Sequence, residues 1–147
     1  MRNKLIVGLL ALPLVALSFS ALAADAAVGR WKTIDDETGK PKSIVEIYKT
    51  TNGTLAGKVV EILSTDRGPN PTCDKCSGAN KDKPIKGMVI LWGLKEDDAS
   101  HWSGGTVLDP NKGKTYKSKI ELQPGGDKLD MSGCIAFICR AQTWIRE

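Results

Sequence analysis

Between residues 28 and 146 the apolar residues fall in short runs, each closed by a strong turn signal. No stretch keeps the three-to-four-residue spacing of a long amphipathic helix. A chain written this way folds as consecutive short strands. The strand candidates are residues 28–34, 43–50, 55–63, 87–94, 101–109, 116–122, 128–133 and 140–146, about eight in all. Between them stand Asn52-Gly53, Asp109-Pro110-Asn111-Lys112-Gly113 and Pro124-Gly125-Gly126-Asp127, whose residues supply the special dihedrals and side-chain bonds of tight turns. The clearest alternation sets Tyr116, Ser118, Ile120 and Leu122 against Lys117, Lys119 and Glu121, one covered and one wet face. The same period puts Trp102, Gly104, Thr106 and Leu108 on one face, while the run 87–94 is apolar on both faces. Lys81-Asp82-Lys83 and Lys95-Glu96-Asp97-Asp98 read as solvated loop residues. The expected architecture is all-β: an antiparallel up-and-down meander that closes into a small barrel, because closure removes exposed strand edges.

The first 23 residues have a different character. Arg2 and Lys4 precede a run of 13 mostly aliphatic residues (5–17), and Ala21-Leu22-Ala23 is a small-x-small cleavage site. These are the three regions of a secretory signal peptide, and the run is too short for a membrane anchor. Cleavage after Ala23 leaves a single barrel domain over residues 24–147, periplasmic or secreted, with no membrane span. Loss of Arg2 and Lys4 lowers the formal net charge from +4 to +2. The remaining charges of both signs are interspersed, with no basic stripe interleaved with aromatics, so nucleic acid is not an expected partner.

Export makes the four cysteines disulfide candidates. Cys73 and Cys76 lie in the one long connection, residues 66–84, where they form a staple. A redox pair would sit at a strand-to-helix junction, covalent haem attachment needs His where Ser77 stands, and a four-cysteine zinc site conflicts with oxidation. Cys134 and Cys139 lie five residues apart, too far to bridge along a straight strand. Either Ile135-Ala136-Phe137-Ile138 turns tightly between them, or each pairs with the distant loop. Four cysteines allow three connectivities, and local pairing is favoured.

Catalytic signatures are sparse. His101 is the only histidine, there is no nucleophile elbow, and no metal-binding spacing or cofactor motif is present. Gly113-Lys114-Thr115 resembles the end of a phosphate loop, but Leu108 stands where that loop needs glycine. An enzyme reading would rest on His101 and Asp36 at one barrel mouth. Two turns echo each other, Asp35-x-x-x-Gly39-Lys40 and Asp109-x-x-x-Gly113-Lys114; a capping aspartate and a left-handed glycine account for both.

Gly29-Arg30-Trp31, with Arg140 or Arg146 near the other end of the chain, resembles the Gly-x-Trp and closing arginine of lipocalin-like barrels. A broader resemblance covers nearly the whole exported chain. Gly29-Arg30-Trp31, residues 36–41, Cys73-x-x-Cys76-x-Gly78, Lys83-Pro84-Ile85-x-Gly87-Met88, Trp102-Ser103-Gly104-Gly105, Asp109-Pro110 through Tyr116, and Gln142-Thr143-Trp144-x-Arg146 are similar to the bacterial exported family catalogued as domain of unknown function 2147. Where that family has Gly-Tyr near 133–134 and Gly-Arg-Thr near 139–141, this chain has Cys134 and Cys139-Arg140-Ala141. The resemblance implies a lipocalin-like barrel of the bacterial envelope, and it carries over no catalytic or ligand-binding residues.

The leading functional expectation is a small-molecule binder for an apolar ligand, walled by Trp31, Trp92, Trp102, Tyr116 and Trp144, with the stapled loop over one mouth. The alternative is an envelope protein-interaction or structural module, with residues 66–84 and the two echoing turns facing a partner.

Overall fold

The computed structural model describes residues 26–147, so the signal-peptide expectation for residues 1–23 lies outside the described residues. Eight strands form in chain order: β1 (Gly29–Ile34), β2 (Pro41–Lys49), β3 (Leu55–Ile62), β4 (Val89–Asp98), β5 (His101–Asp109), β6 (Lys114–Leu122), β7 (Lys128–Ile135) and β8 (Ile138–Arg146). Each pairs antiparallel with its sequence neighbours, and β1 pairs with β8, which closes the barrel. Because every connection reverses the chain, the β1–β2, β3–β4, β5–β6 and β7–β8 connections gather at one end, here called the loop end. The three remaining turns and the N-terminal stretch gather at the other, the sealed end.

Alternation explains most of the interior. In β6, Ser118 and Ile120 are buried while Lys117, Lys119 and Glu121 are exposed. In β5 the expected face is broken. The register shifts between Trp102 and Gly105, and Gly104 takes φ 71°, so a bulge at Gly104 resets the phase and turns Gly105 and Val107 inward instead of Gly104 and Thr106. A second correction concerns β4, which continues through Lys95, Glu96 and Asp97 to Asp98. Lys95 pairs with Ser103 and Glu96 with Trp102, so these charged residues extend a hairpin arm rather than a loop. Strands β7 and β8 likewise run further than expected, to the two-residue turn Ala136-Phe137.

The core combines Trp31, Trp102 and Trp144 with Val45, Ile47, Leu55, Leu91, Leu94 and Leu129, all essentially inaccessible to water. Burial of this order contributes roughly 1.5–3 kcal/mol for each large apolar side chain. The loop end adds a satellite of this core: Cys73, Cys76, Ile85 and Met88 are buried beneath the long connection. That connection is laced by Cys73 N–H to the Lys83 carbonyl (2.8 Å), Ile85 N–H to the Pro71 carbonyl (3.0 Å) and a bridge between Thr72 and Pro84.

Candidate functional site

At the sealed end, the N-terminal stretch and β8 converge on Trp31. The indole Nε1–H donates to the Ala27 carbonyl at 2.9 Å, and the Arg146 guanidinium carbon lies 4.2 Å from the Trp31 ring centroid. Arg146 also donates to three carbonyls: Nε to Gly126 (2.8 Å), Nη2 to Ala26 (2.8 Å) and Nη1 to Val28 (3.2 Å). Gly29 is needed beneath it, since a Cβ there would stand 2.9 Å from Arg146 Nη1. Arg140, the other candidate, is a surface residue of β8, 3.5 Å from the Asp36 carboxylate at the loop end. The sealing pair is therefore Trp31 with Arg146.

The five aromatic candidates separate into three environments. Trp31, Trp102 and Trp144 are packed so tightly that they are almost wholly shielded from water, and Tyr116 is half-buried at the edge of the same cluster. Trp92 instead points outward, 37 % exposed, beside Val89 at 38 %. The register of β3 against β4 slips between Gly57–Leu91 and Lys58–Val89, so Ile90 and Leu91 are buried in succession and Trp92 lands on the outer face. It does not share a wall with the other three indoles.

Trp92 forms one side of an open groove of about 580 Å³ between β4 and the long connection. Pro84, Met88 and Val89 give it an apolar floor, and Asn80, Lys83 and Lys86 a polar, basic rim. Sequence reasoning misses this site because Lys83 reads as part of a solvated cluster and Lys86 carries no reading of its own; the Lys-Pro-Ile-Lys-Gly-Met-Val order, apolar and basic by turns, is the available signal. Inside the barrel, two buried polar atoms, Trp102 Nε1 and Ser118 Oγ, have no hydrogen-bond partner among the described residues. Such groups cost about 1–3 kcal/mol each when left unmet.

The cysteines pair locally, Cys73 with Cys76 and Cys134 with Cys139. The second pair joins facing residues of the β7–β8 hairpin, the tight-turn alternative for residues 135–138. His101 lies at the sealed end, its Nδ1 2.8 Å from Asp98 and its Nε2 3.5 Å from Glu121, whereas Asp36 lies at the loop end against Arg140 and Gln142. The fold separates the two residues on which an enzyme reading rested. The Asp98 hydrogen bond raises the His101 pKa above its ordinary 6.5 despite some desolvation. The echoing turns are built alike: Asp35 accepts from Glu37 and Thr38 N–H (3.0 and 2.8 Å), Asp109 from Asn111 and Lys112 N–H (2.9 and 3.3 Å). Among the described residues no group of three or more His, Cys, Asp or Glu side chains could hold a metal ion, and no helix is long and apolar enough to cross a membrane.

Residues 29–146 match the family model described as "Uncharacterized protein conserved in bacteria (DUF2147)". The chain belongs to this family. A solved structure, described as "Protein HP1028 from the human pathogen Helicobacter pylori belongs to the lipocalin family", superimposes with a TM-score of 0.71 at 20 % identity, covering 82 % of each chain. At that identity the likeness establishes a shared lipocalin-like fold. No curated protein matches the sequence. Membership of a bacterial family together with two disulfides is consistent with export.

Proposed function

We propose that this DUF2147 member is an exported binding protein for a small anionic amphiphile, taken up in the outer groove at Trp92. The observation that carries the reading is the pairing of an exposed indole and an apolar floor with Lys83 and Lys86 at the rim, in a volume typical of small-molecule sites. The apolar part of the ligand would lie on Trp92 and Val89, and its anionic group would meet the lysines. Periplasmic or secreted placement, with a signal peptide ending at Ala23, belongs to the same reading. Native mass spectrometry of protein secreted through its own leader, with equilibrium dialysis against decanoate as the probe, tests it. Trp92→Ala should weaken decanoate binding at least several-fold. Equal binding by the variant and the parent protein would sink the outer-groove site.

A second reading is favoured by Trp102 Nε1 and Ser118 Oγ. Both are buried on adjacent strands and lack partners among the described residues, as polar groups awaiting a ligand would. In that case Ser118→Ala, and not Trp92→Ala, would reduce probe binding.

A further inference from the structure

The β7–β8 turn exposes the most apolar surface of the described molecule. Phe137 is fully exposed, Ile138 is 80 % exposed and Ile135 66 %. Ile135 and Ile138 face each other across the hairpin, with Ala136-Phe137 as a two-residue turn and Ala136 at φ 51°. Turn chemistry alone would favour glycine at the first position of such a connection. Here a β-carbon residue occupies the left-handed position and large apolar side chains meet water without joining the core. Directly behind them the Cys134–Cys139 disulfide, with its Cα atoms 4.0 Å apart, clamps the two strands. The tip is a rigid, convex apolar projection at the loop end.

On its β6 side the hairpin is flanked by cations. From Pro110 to Ile120 the chain carries Lys112, Lys114, Lys117 and Lys119 and no acidic residue. In the sheet, Lys117 pairs with Cys134 and Lys119 with Ser132, so these cations stand beside the hairpin. The two lysines and the disulfide border an open groove of about 420 Å³ whose floor is the Gly104-Gly105 backbone at the β5 bulge. The acids of this end lie on the β1–β2 side or in their own turns: Asp36 against Arg140 and Gln142, Asp35 and Asp109 on the N–H groups of their turns, and Glu37 exposed beside Asp36.

We infer that this end of the barrel docks on an anionic phospholipid surface, with Ile135, Phe137 and Ile138 entering the headgroup–acyl boundary. Lys117 and Lys119 then receive a lipid phosphate in the adjoining groove. A convex tip needs a preformed pocket in a protein partner, whereas a lipid interface yields to any apolar projection, and basic residues beside it add electrostatic attraction. This docking surface is separate from the Trp92 groove and stands independently of the function proposed for it.

The test is vesicle co-sedimentation of the oxidised, secreted chain on phosphatidylcholine alone and on phosphatidylcholine containing phosphatidylglycerol. All proteins compared carry the same N-terminus, verified by intact mass. Binding should require phosphatidylglycerol and weaken as salt screens the lysines. The double variant Phe137→Ser/Ile138→Ser should bind roughly tenfold more weakly, and Lys117→Gln/Lys119→Gln should lose about the same factor. These side chains are exposed, so the thermal midpoint of each variant should stay near that of the parent. Failure of the parent protein to bind, or unchanged binding by the Phe137/Ile138 variant, overturns the inference. So does a lipid-free dimer in sedimentation velocity that the Phe137/Ile138 variant abolishes, since a second copy would then be the occupant. Binding of soluble glycerol phosphate as tight as vesicle binding also overturns it, by reducing the site to a phosphate pocket.

Discussion

The Arg146 guanidinium stacks 4.2 Å from the Trp31 ring centroid while its nitrogens hold carbonyls of residues 26, 28 and 126. This one side chain ties together the first strand, the last strand, the N-terminal stretch and the β6–β7 turn. The place matters because the closing seam is short: β1 meets β8 only through Trp31–Arg146 and Lys32–Ile145, with Glu147 N–H reaching the Arg30 carbonyl at 3.0 Å beyond them.

Arg146→Ala should therefore destabilise the barrel by about 3 kcal/mol, from lost hydrogen bonds and the lost cation–π contact. Arg146→Lys should recover less than half of that, because an ammonium cannot lie flat on the indole and reach three divergent carbonyls. Urea unfolding followed by circular dichroism measures both. Arg140→Ala, which releases only an exposed pair with Asp36, should change stability by less than about 0.5 kcal/mol.

The echoing turns offer a matched comparison. Gly39 and Gly113 have nearly the same φ, 69° and 66°. A Cβ at Gly39 meets nothing within 4 Å, whereas one at Gly113 would stand 2.0 Å from the Lys75 carbonyl oxygen of the long connection. Gly39→Ala should cost only the left-handed penalty, about 1–2 kcal/mol. Gly113→Ala must also displace the loop and should cost about 3 kcal/mol or more. The difference between the two midpoints in urea isolates the loop contact.

Access distinguishes the disulfides. Cys73 and Cys76 are buried, whereas Cys139 is exposed at the hairpin. Mild reductant followed by alkylation and peptide mass mapping should label Cys134 and Cys139 first. Each bridge closes a short loop, so loss of either costs about 2 kcal/mol in the chain-entropy picture. The Cys73→Ser/Cys76→Ser variant should lose more than that, because it also places hydroxyls in the satellite core.

His101, as the only histidine, gives one clean titration. Its Asp98 partner holds the folded pKa above 6.5. The charged imidazole thus favours the folded state, fully so below pH 6.5, and that contribution fades as pH rises through the elevated folded value. Asp98 works in the opposite direction: the Ser100 N–H and His101 lower its pKa, so its contribution is present above pH 3.8 and is lost as pH falls through the depressed value. Proton NMR should show the His101 titration moving down in Asp98→Asn, with a smaller move in Glu121→Gln. An unmoved midpoint in Asp98→Asn would contradict the assigned cause.

The strands, their antiparallel order and the echoing turns were legible in the sequence because each depends on interactions a few residues apart. Alternation decides which side of β6 is wet, an aspartate reaches the amides two and three residues on, and glycine takes the left-handed turn position. The barrel followed from the number of strands and the cost of an open edge.

What local sequence left open was decided by register. Arg140 and Arg146 lie on one strand, and only the offset of β8 against β1 determines which of them reaches Trp31. The bulge at Gly104 and the slip at Ile90–Leu91 change which face a side chain meets, and so sent Trp92 outside while Trp102 stayed in the core. The bringing of Lys117 beside Cys134, of Lys75 onto Gly113, and of His101 far from Asp36 are facts of closure. A strand's own residues determine its period, but a slip of one residue exchanges its two faces, and only pairing with a neighbour sets that phase.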